Sequence, residues 1–159
     1  FMESRNMVIT PFTIESSDWM FDVVYRYYIE QGELEKAKAI GEAYVQKTMA
    51  MVEHFETVAQ TEHGRPMSHI YLCHDNRLNT DYLEEIIIRL KQQGYDIVDL
   101  DQSLEDPLYQ LPDHYYRKWG VSWLYRWMAS QKIRVSWMKQ EPSLKDIEST
   151  YHEIIKKRQ

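Results

Sequence analysis

An α/β fold with parallel strands is what this sequence predicts, and three observations predict it. Residues 69–100 read as strand, helix, strand with short links. Two β-rich runs, at 7–14 and 69–74, each lead into an amphipathic helix. The 159 residues are 43% hydrophobic and 13% aromatic, enough for one packed core and too apolar for a disordered chain.

The opening FMESRN reads as the end of a helix, and the Phe1-Met2 start as a cut or a tag remnant. Met7 to Ile14 (MVITPFTI) is a strand in which Pro11 removes one ladder donor, marking an end or a bulge. IESSDW is a polar corner where Ser16 or Ser17 caps the next helix and Asp18 enters its first turn. From Trp19 to Glu30 the apolar residues Met20, Phe21, Val23, Val24, Tyr27 and Tyr28 cover a broad helical face that Gly32 ends. Leu34 to about Gln60 is the longest periodic stretch, with Tyr44, Val45, Met51, Val52, Phe55 and Val58 at helical steps. Gly41 costs this helix about 1 kcal/mol against alanine without ending it, and TEHGRP stops it. HIYLCH (69–74) is the next strand. Asn79 or Thr80 caps a helix to Gln93 with Leu83, Ile86, Ile87 and Leu90 as its stripe, and Gly94 sits just past its end. DIVDL (96–100) completes a βαβ unit with parallel strands and a right-handed crossover. Beyond Asp101 the pattern loosens into a helical turn and loop. Val121 to Gln131 is a helix burying Trp123, Leu124, Trp127 and Met128. Residues 136–159 are a tail of separate character, with an amphipathic helix over Leu144 to Lys157, which divides the chain at 135/136.

Composition excludes several functions. The net charge of −6 is the wrong sign for a protein that tracks nucleic-acid phosphates. No apolar run approaches the ~18 residues of a membrane span. The single cysteine, Cys73, cannot form an internal bridge.

Alternation along a strand puts Ile70, Leu72 and His74 on one face and His69, Tyr71 and Cys73 on the other. Ligands of parallel sheets bind at the carboxyl ends of strands. His74 ends one strand, and Asp18 and Trp19 follow another. If the two strands run the same way, these three residues rim one mouth. An aspartate beside a histidine holds its tautomer and stabilises the imidazolium, which suits a general acid. The plainer alternative is a helix-terminus charge, a buried tryptophan and a histidine bonded to a loop. Cys73 and His74 look like a nucleophile pair, but strand neighbours face opposite ways, so a cysteine hydrolase is a poor reading and an inert buried thiol a better one. His54, His63 and His69 lack metal-ligand spacing, and His54 reads as lying on a solvated helix face. The five acids in 96–106 lack the pattern of a calcium loop and read as a solvated strand end with a helix cap at Ser103. Tyr25, Tyr27, Tyr28, Trp123 and Trp127 read as core or docking surface ahead of a sugar platform.

The stretch HIYLCHDNRLNTDYLEEIIIRLKQQGYDIVDLDQSLEDPLY resembles the last part of the NodB-homology polysaccharide deacetylases, where a strand ending L-x-H precedes a helix and a G-Y/F-x-x-V-x-L segment. ITPFTIESSDWMF is similar to the segment carrying that family's aspartate-tryptophan motif, and DHYYRKWGVSWLYRWM resembles the ending of one bacterial branch. The likeness covers about residues 5 to 130. It implies a partial distorted (β/α) barrel with a long inserted helix pair, and metal-dependent removal of an N- or O-acetyl group from a carbohydrate. By resemblance His74 protonates the leaving amine or alcohol, Asp18 orients and charges it, and Leu72 and Trp19 wall the pocket for the acetate methyl group.

The chain also departs from that family. Its T-F-D-D motif, the source of the base and one metal ligand, and its H-S/T-x-x-H-P motif, the source of two histidine ligands, do not occur here. The only adjacent acid pairs are Glu84-Glu85 and Glu105-Asp106. The expectation is therefore the C-terminal half of a deacetylase that binds no metal alone. A divalent metal, zinc by resemblance, would be held by a preceding half. The expected partners are an acetylated carbohydrate and either that half or a second copy of this chain, and family members usually work outside the cytoplasm. The competing reading is a non-catalytic assembly module whose open strand edges pair with another chain.

Overall fold

The structure, a computed structural model, describes residues 3–5 and 9–158. It corrects the predicted class: the molecule is mostly helical, 62% of it. The described residues hold two strands of two residues each, β1 (Ile14–Glu15) and β2 (Tyr71–Leu72). These pair in parallel, Ile14 opposite Tyr71 and Glu15 opposite Leu72. A partial (β/α) barrel is not what this chain forms. It is a helical fold built around one short parallel ladder.

Two helices separate the strands. The first, α1 (Asp18–Glu30), starts where expected, but neither serine caps it with a side chain. Ser17 takes the N-cap position in the left-handed region, with φ 57°. The second, α2 (Leu34–His63), has 30 residues and so runs roughly 45 Å. That length lets it serve two cores. Its first half packs Tyr44 and Val45 against Phe21, Val24, Leu78 and Ile86. Its second half packs Phe55 and Val58 against Ile14, Leu108, Leu124 and Trp127. After β2 comes α3 (Arg77–Gln92), which starts earlier than the sequence suggested. Asn76, not Asn79 or Thr80, is its N-cap and accepts from the Asn79 N–H. Gly41 has a reason beyond propensity. A β-carbon there would lie 2.0 Å from the Tyr82 ring, so glycine lets α3 approach α2.

The missing third strand explains the correction. Gly94 ends α3 with φ +90°, as the sequence implied. Residues 95–99 are then irregular and make no ladder, and Leu100 already belongs to a short helix, α4 (Leu100–Leu104). Strand propensity is expressed through packing against a neighbouring strand, and here a cavity lies between β2 and Ile97-Val98 instead. The expected cap at Ser103 is also displaced: Ser103 lies inside α4, and Asp106 caps the 3₁₀ turn Pro107–Gln110. Residues 7 and 8 of the first β-rich run lie outside the described residues, as do 1, 2 and 6 of the opening segment. Residues 9–13 are irregular across Pro11.

The helix expected over 121–131 breaks into α5 (Trp123–Arg126) and α6 (Gln131–Met138), with Ser122 and Ser130 as their N-caps. The final α7 (Lys145–Lys157) docks on α1 and buries Ile147 and Ile154 in the same core as Phe21 and Tyr44.

Candidate functional site

The βα corner and the end of β2 meet at one point. His74 Nδ1 lies 2.7 Å from Asp18 Oδ1, with Asp18 only 1% exposed and the His74 side chain 52% exposed. The second carboxylate oxygen, Oδ2, accepts the His74 backbone N–H (2.6 Å), the Asn79 side-chain amide (2.6 Å) and that of Asn76 (3.2 Å). Four donors therefore fill Asp18, which is what a buried carboxylate requires. Its place at the start of α1 has a local cause. Glu15 Oε1 accepts the Ser17 N–H at 2.6 Å, closing the corner in which Ser17 adopts its left-handed conformation. One turn later on α1, Asp22 Oδ1 accepts the Leu78 N–H at 3.1 Å. The i, i+4 spacing thus aims two acids of α1 at the N-terminal end of α3, whose dipole favours them.

Proton positions in the network follow from the carboxylate. A carboxylate only accepts, so Asn79 turns its NH₂ toward Asp18, and that same NH₂ also reaches the His74 carbonyl at 2.8 Å. The Asn79 oxygen then accepts from the Tyr44 hydroxyl at 2.6 Å. With its one proton spent, Tyr44 accepts from Tyr71 (2.7 Å), and Tyr71 accepts from Ser16 (2.9 Å). Burial pushes both tyrosines up from their ordinary values, so each keeps the proton this chain of bonds requires. Asp18 accepts the Nδ1–H of His74, and the Nε2 of this half-exposed ring takes no part in the Asp18 network. In that arrangement the ring can pass a proton at Nε2 while Nδ1 stays anchored.

Of the other expected site residues, Leu72 ends β2 two residues before His74 and is 36% exposed. Trp19 follows Asp18 as the second residue of α1. It is 44% exposed, and its ring meets Tyr151 of α7 edge-on at 5.5 Å. Cys73 is half-buried, and burial, with Asp18 adding, pushes its thiol up, which keeps it protonated. His54 is a correction: instead of a solvated face it bonds the Tyr125 hydroxyl through Nε2 at 2.7 Å, tying α2 to α5.

The dyad is not a metal cradle. Asp18 is filled by protein donors and His74 Nδ1 is taken, which leaves a cation Nε2 alone, whereas a zinc site needs three or four ligands. Among the described residues no three of His, Cys, Asp and Glu are grouped to hold a metal ion. No helix among them is long and apolar enough to cross a membrane.

Sequence reasoning missed Tyr44, Tyr71, Ser16, Asn76 and Glu15 as parts of this site, and read Asn79 only as a cap. The signal for Asn79 was its distance from His74: one turn into a helix that begins just past the strand, a polar side chain points back at the strand end. Tyr44 carried no such signal, because its partner lies 35 residues away. No family model, curated protein or solved structure matches the chain.

Proposed function

We propose that the His74–Asp18 dyad is a general acid in the hydrolysis of an acetyl group from a carbohydrate. The observation that carries this reading is the 2.7 Å contact from the buried Asp18 to Nδ1 of a half-exposed His74. When the bond between the acetyl carbon and the sugar nitrogen or oxygen breaks, the leaving group needs a proton, and Nε2 of a doubly protonated His74 supplies it. Asp18 fixes the ring and balances its charge without itself changing protonation. Leu72, two residues earlier, offers apolar surface beside the reacting group. The acetyl-carbohydrate substrate rests on the resemblance of the 69–109 and 9–21 segments to the deacetylases. The divalent ion that this resemblance implies would be held by residues outside this sequence.

The test is turnover of acetylated oligosaccharides by this chain together with the segment that supplies the metal site, in cis or in trans. His74→Ala should lower kcat by about 10²–10⁴-fold, the usual range for a lost acid or base. With an aryl acetate, whose leaving group needs no proton, the same variant should lose far less. Equal losses on both substrates, or no loss on the oligosaccharide, would remove the general-acid role.

A further inference from the structure

The surface carries two complementary features outside the dyad. The first is a groove beside the ladder. Two cavities of about 380 and 350 Å³ share Leu90, Asp96, Ile97 and Val98 as walls, and so form one depression between β2, α3 and residues 95–100. Its rim is apolar and open, with Ile97, Val98 and Leu100 exposed. Beside them stand Asp96, Asp99, Asp101 and Glu105, also exposed. Among the described residues none of these four acids is in an ion pair, whereas Asp106 is bound by Arg65 and Glu56 on the wall is paired with His69. Among the described lining residues there is no lysine or arginine.

The second feature is the loop HYYRKWG (114–120), which carries Arg117 and Lys118 and no acid. Asp113, just before it, is taken by Arg126. Tyr116 is 87% exposed and Trp119 71%. The Tyr116 hydroxyl donates back to the Asp113 carbonyl at 2.7 Å, so the ring is held outside. Lys118 Nζ lies 5.8 Å from the Trp119 ring centroid, which presents a cation and an aromatic face together. Tyrosine, tryptophan and arginine are the side chains that carry most binding energy at protein interfaces. The exposure of both rings also shows that the loop does not fill the groove of its own chain. Ser122 and Trp123, which follow it, bond the carbonyls of Thr13 and Phe12 just before β1, whereas the groove borders β2.

We propose that loop 114–120 of one copy docks in the 95–105 groove of a second copy. Tyr116 and Trp119 lie against Ile97, Val98 and Leu100, and Arg117 and Lys118 pair with the acids of the rim. The two surfaces differ, so the contact is head-to-tail, and every pair keeps one open groove and one open loop. Association therefore continues past the dimer as concentration rises. One loop in one groove is a small interface, so the contact is weak and reversible.

The experiment is sedimentation equilibrium and amide NMR on the whole chain from about 10 µM to about 1 mM, the range of weak contacts. The average mass should climb from the monomer through and past the dimer, with the Ile97, Val98 and Trp119 signals moving alongside it. Arg117→Glu with Lys118→Glu, and separately Asp96→Lys with Asp99→Lys, should each weaken association at least about tenfold. All four positions are exposed, and Asp99 makes no side-chain bond to α4, so neither pair removes a structural contact. The aspartate pair is the sharper of the two, because it takes the net charge from −6 toward zero and so lowers the general repulsion between copies. An equimolar mixture of the two variants should associate again, since the glutamates of one loop then face the lysines of the other groove. A wild-type chain that stays monomeric throughout, association indifferent to the aspartate pair, or a mixture no stronger than its separate components would each overturn the proposal. The wild-type series needs no variant to fold, and circular dichroism checks both variants.

Discussion

His69 and His74 sit on the same six-residue run, five positions apart, and end in opposite circumstances. His74 is half exposed, and its acidic partner is buried and filled by four donors. The His69 side chain is 10% exposed and that of its acidic partner, Glu56, is 24% exposed, with Glu56 Oε1 3.5 Å from His69 Nε2. His69 precedes the two-residue strand β2 and His74 follows it, so the two imidazoles stand at opposite ends of one short ladder. A saturated carboxylate fixes its histidine and leaves one nitrogen for chemistry outside.

The largest expected effect separates the two acids. Asp18→Ala strands the His74 N–H and the Asn79 amide in a buried site and should cost at least about 3 kcal/mol, whereas Glu56→Ala should cost under about 1 kcal/mol. Urea unfolding of both variants measures this, and similar losses would erase the contrast. Next in size is the support behind Asp18. Asn79→Ala removes a donor to Asp18 and the acceptor of Tyr44, for about 2 kcal/mol, and Tyr44→Phe should cost about half that. In the Tyr44→Phe protein the Nδ1–H signal of His74 should survive in imidazole NMR, because the contact with Asp18 is direct. Its loss would mean that the network, and not the carboxylate alone, holds the ring.

The smallest effect is in pH. The Glu56 carboxyl, held below its ordinary value of 4.5, binds its proton more weakly in the folded chain than in the unfolded one. Its contribution to stability is therefore fully present above that value and is lost as pH falls through the lower folded value. The stability difference between wild type and Glu56→Gln should stay level near neutrality and shrink only in acid. A difference that grew on acidification would mean that burial, not His69, dominates at Glu56.

Much of the site could be read in the amino-acid order. The position of Asp18 just after a β-rich run placed it at the same end as His74, and the two side chains meet at 2.7 Å. The helices at 18–30, 34–63, 77–92 and 145–157 were legible from their apolar periods. The capping of α3 was misread, because Asn76 and Asn79 are both good caps and only the direction of the chain after β2 chooses between them. The third strand was misread for a larger reason. DIVDL has strand-like residues, but a strand exists only where a neighbouring strand meets its N–H and C=O groups, and among the described residues no strand pairs with these, while the Asp99 carbonyl is taken by the Ser103 N–H of α4. The His54 bond to Tyr125 and the Tyr44 bond to Asn79 join residues 71 and 35 positions apart, and no local pattern encodes such meetings.

The sequence by itself determined which long segments are helical and that an aspartate and a histidine stand at matching ends, because these follow from backbone period and steric preference within a few residues. Tertiary structure alone decided that the ladder stops at two strands, that Asp18 is filled by Asn76 and Asn79, and that His69 and Glu56 meet at 3.5 Å. Those outcomes depend on how a 30-residue helix carries distant segments past one another, and hydrogen-bond satisfaction across such distances is settled only when the chain has packed.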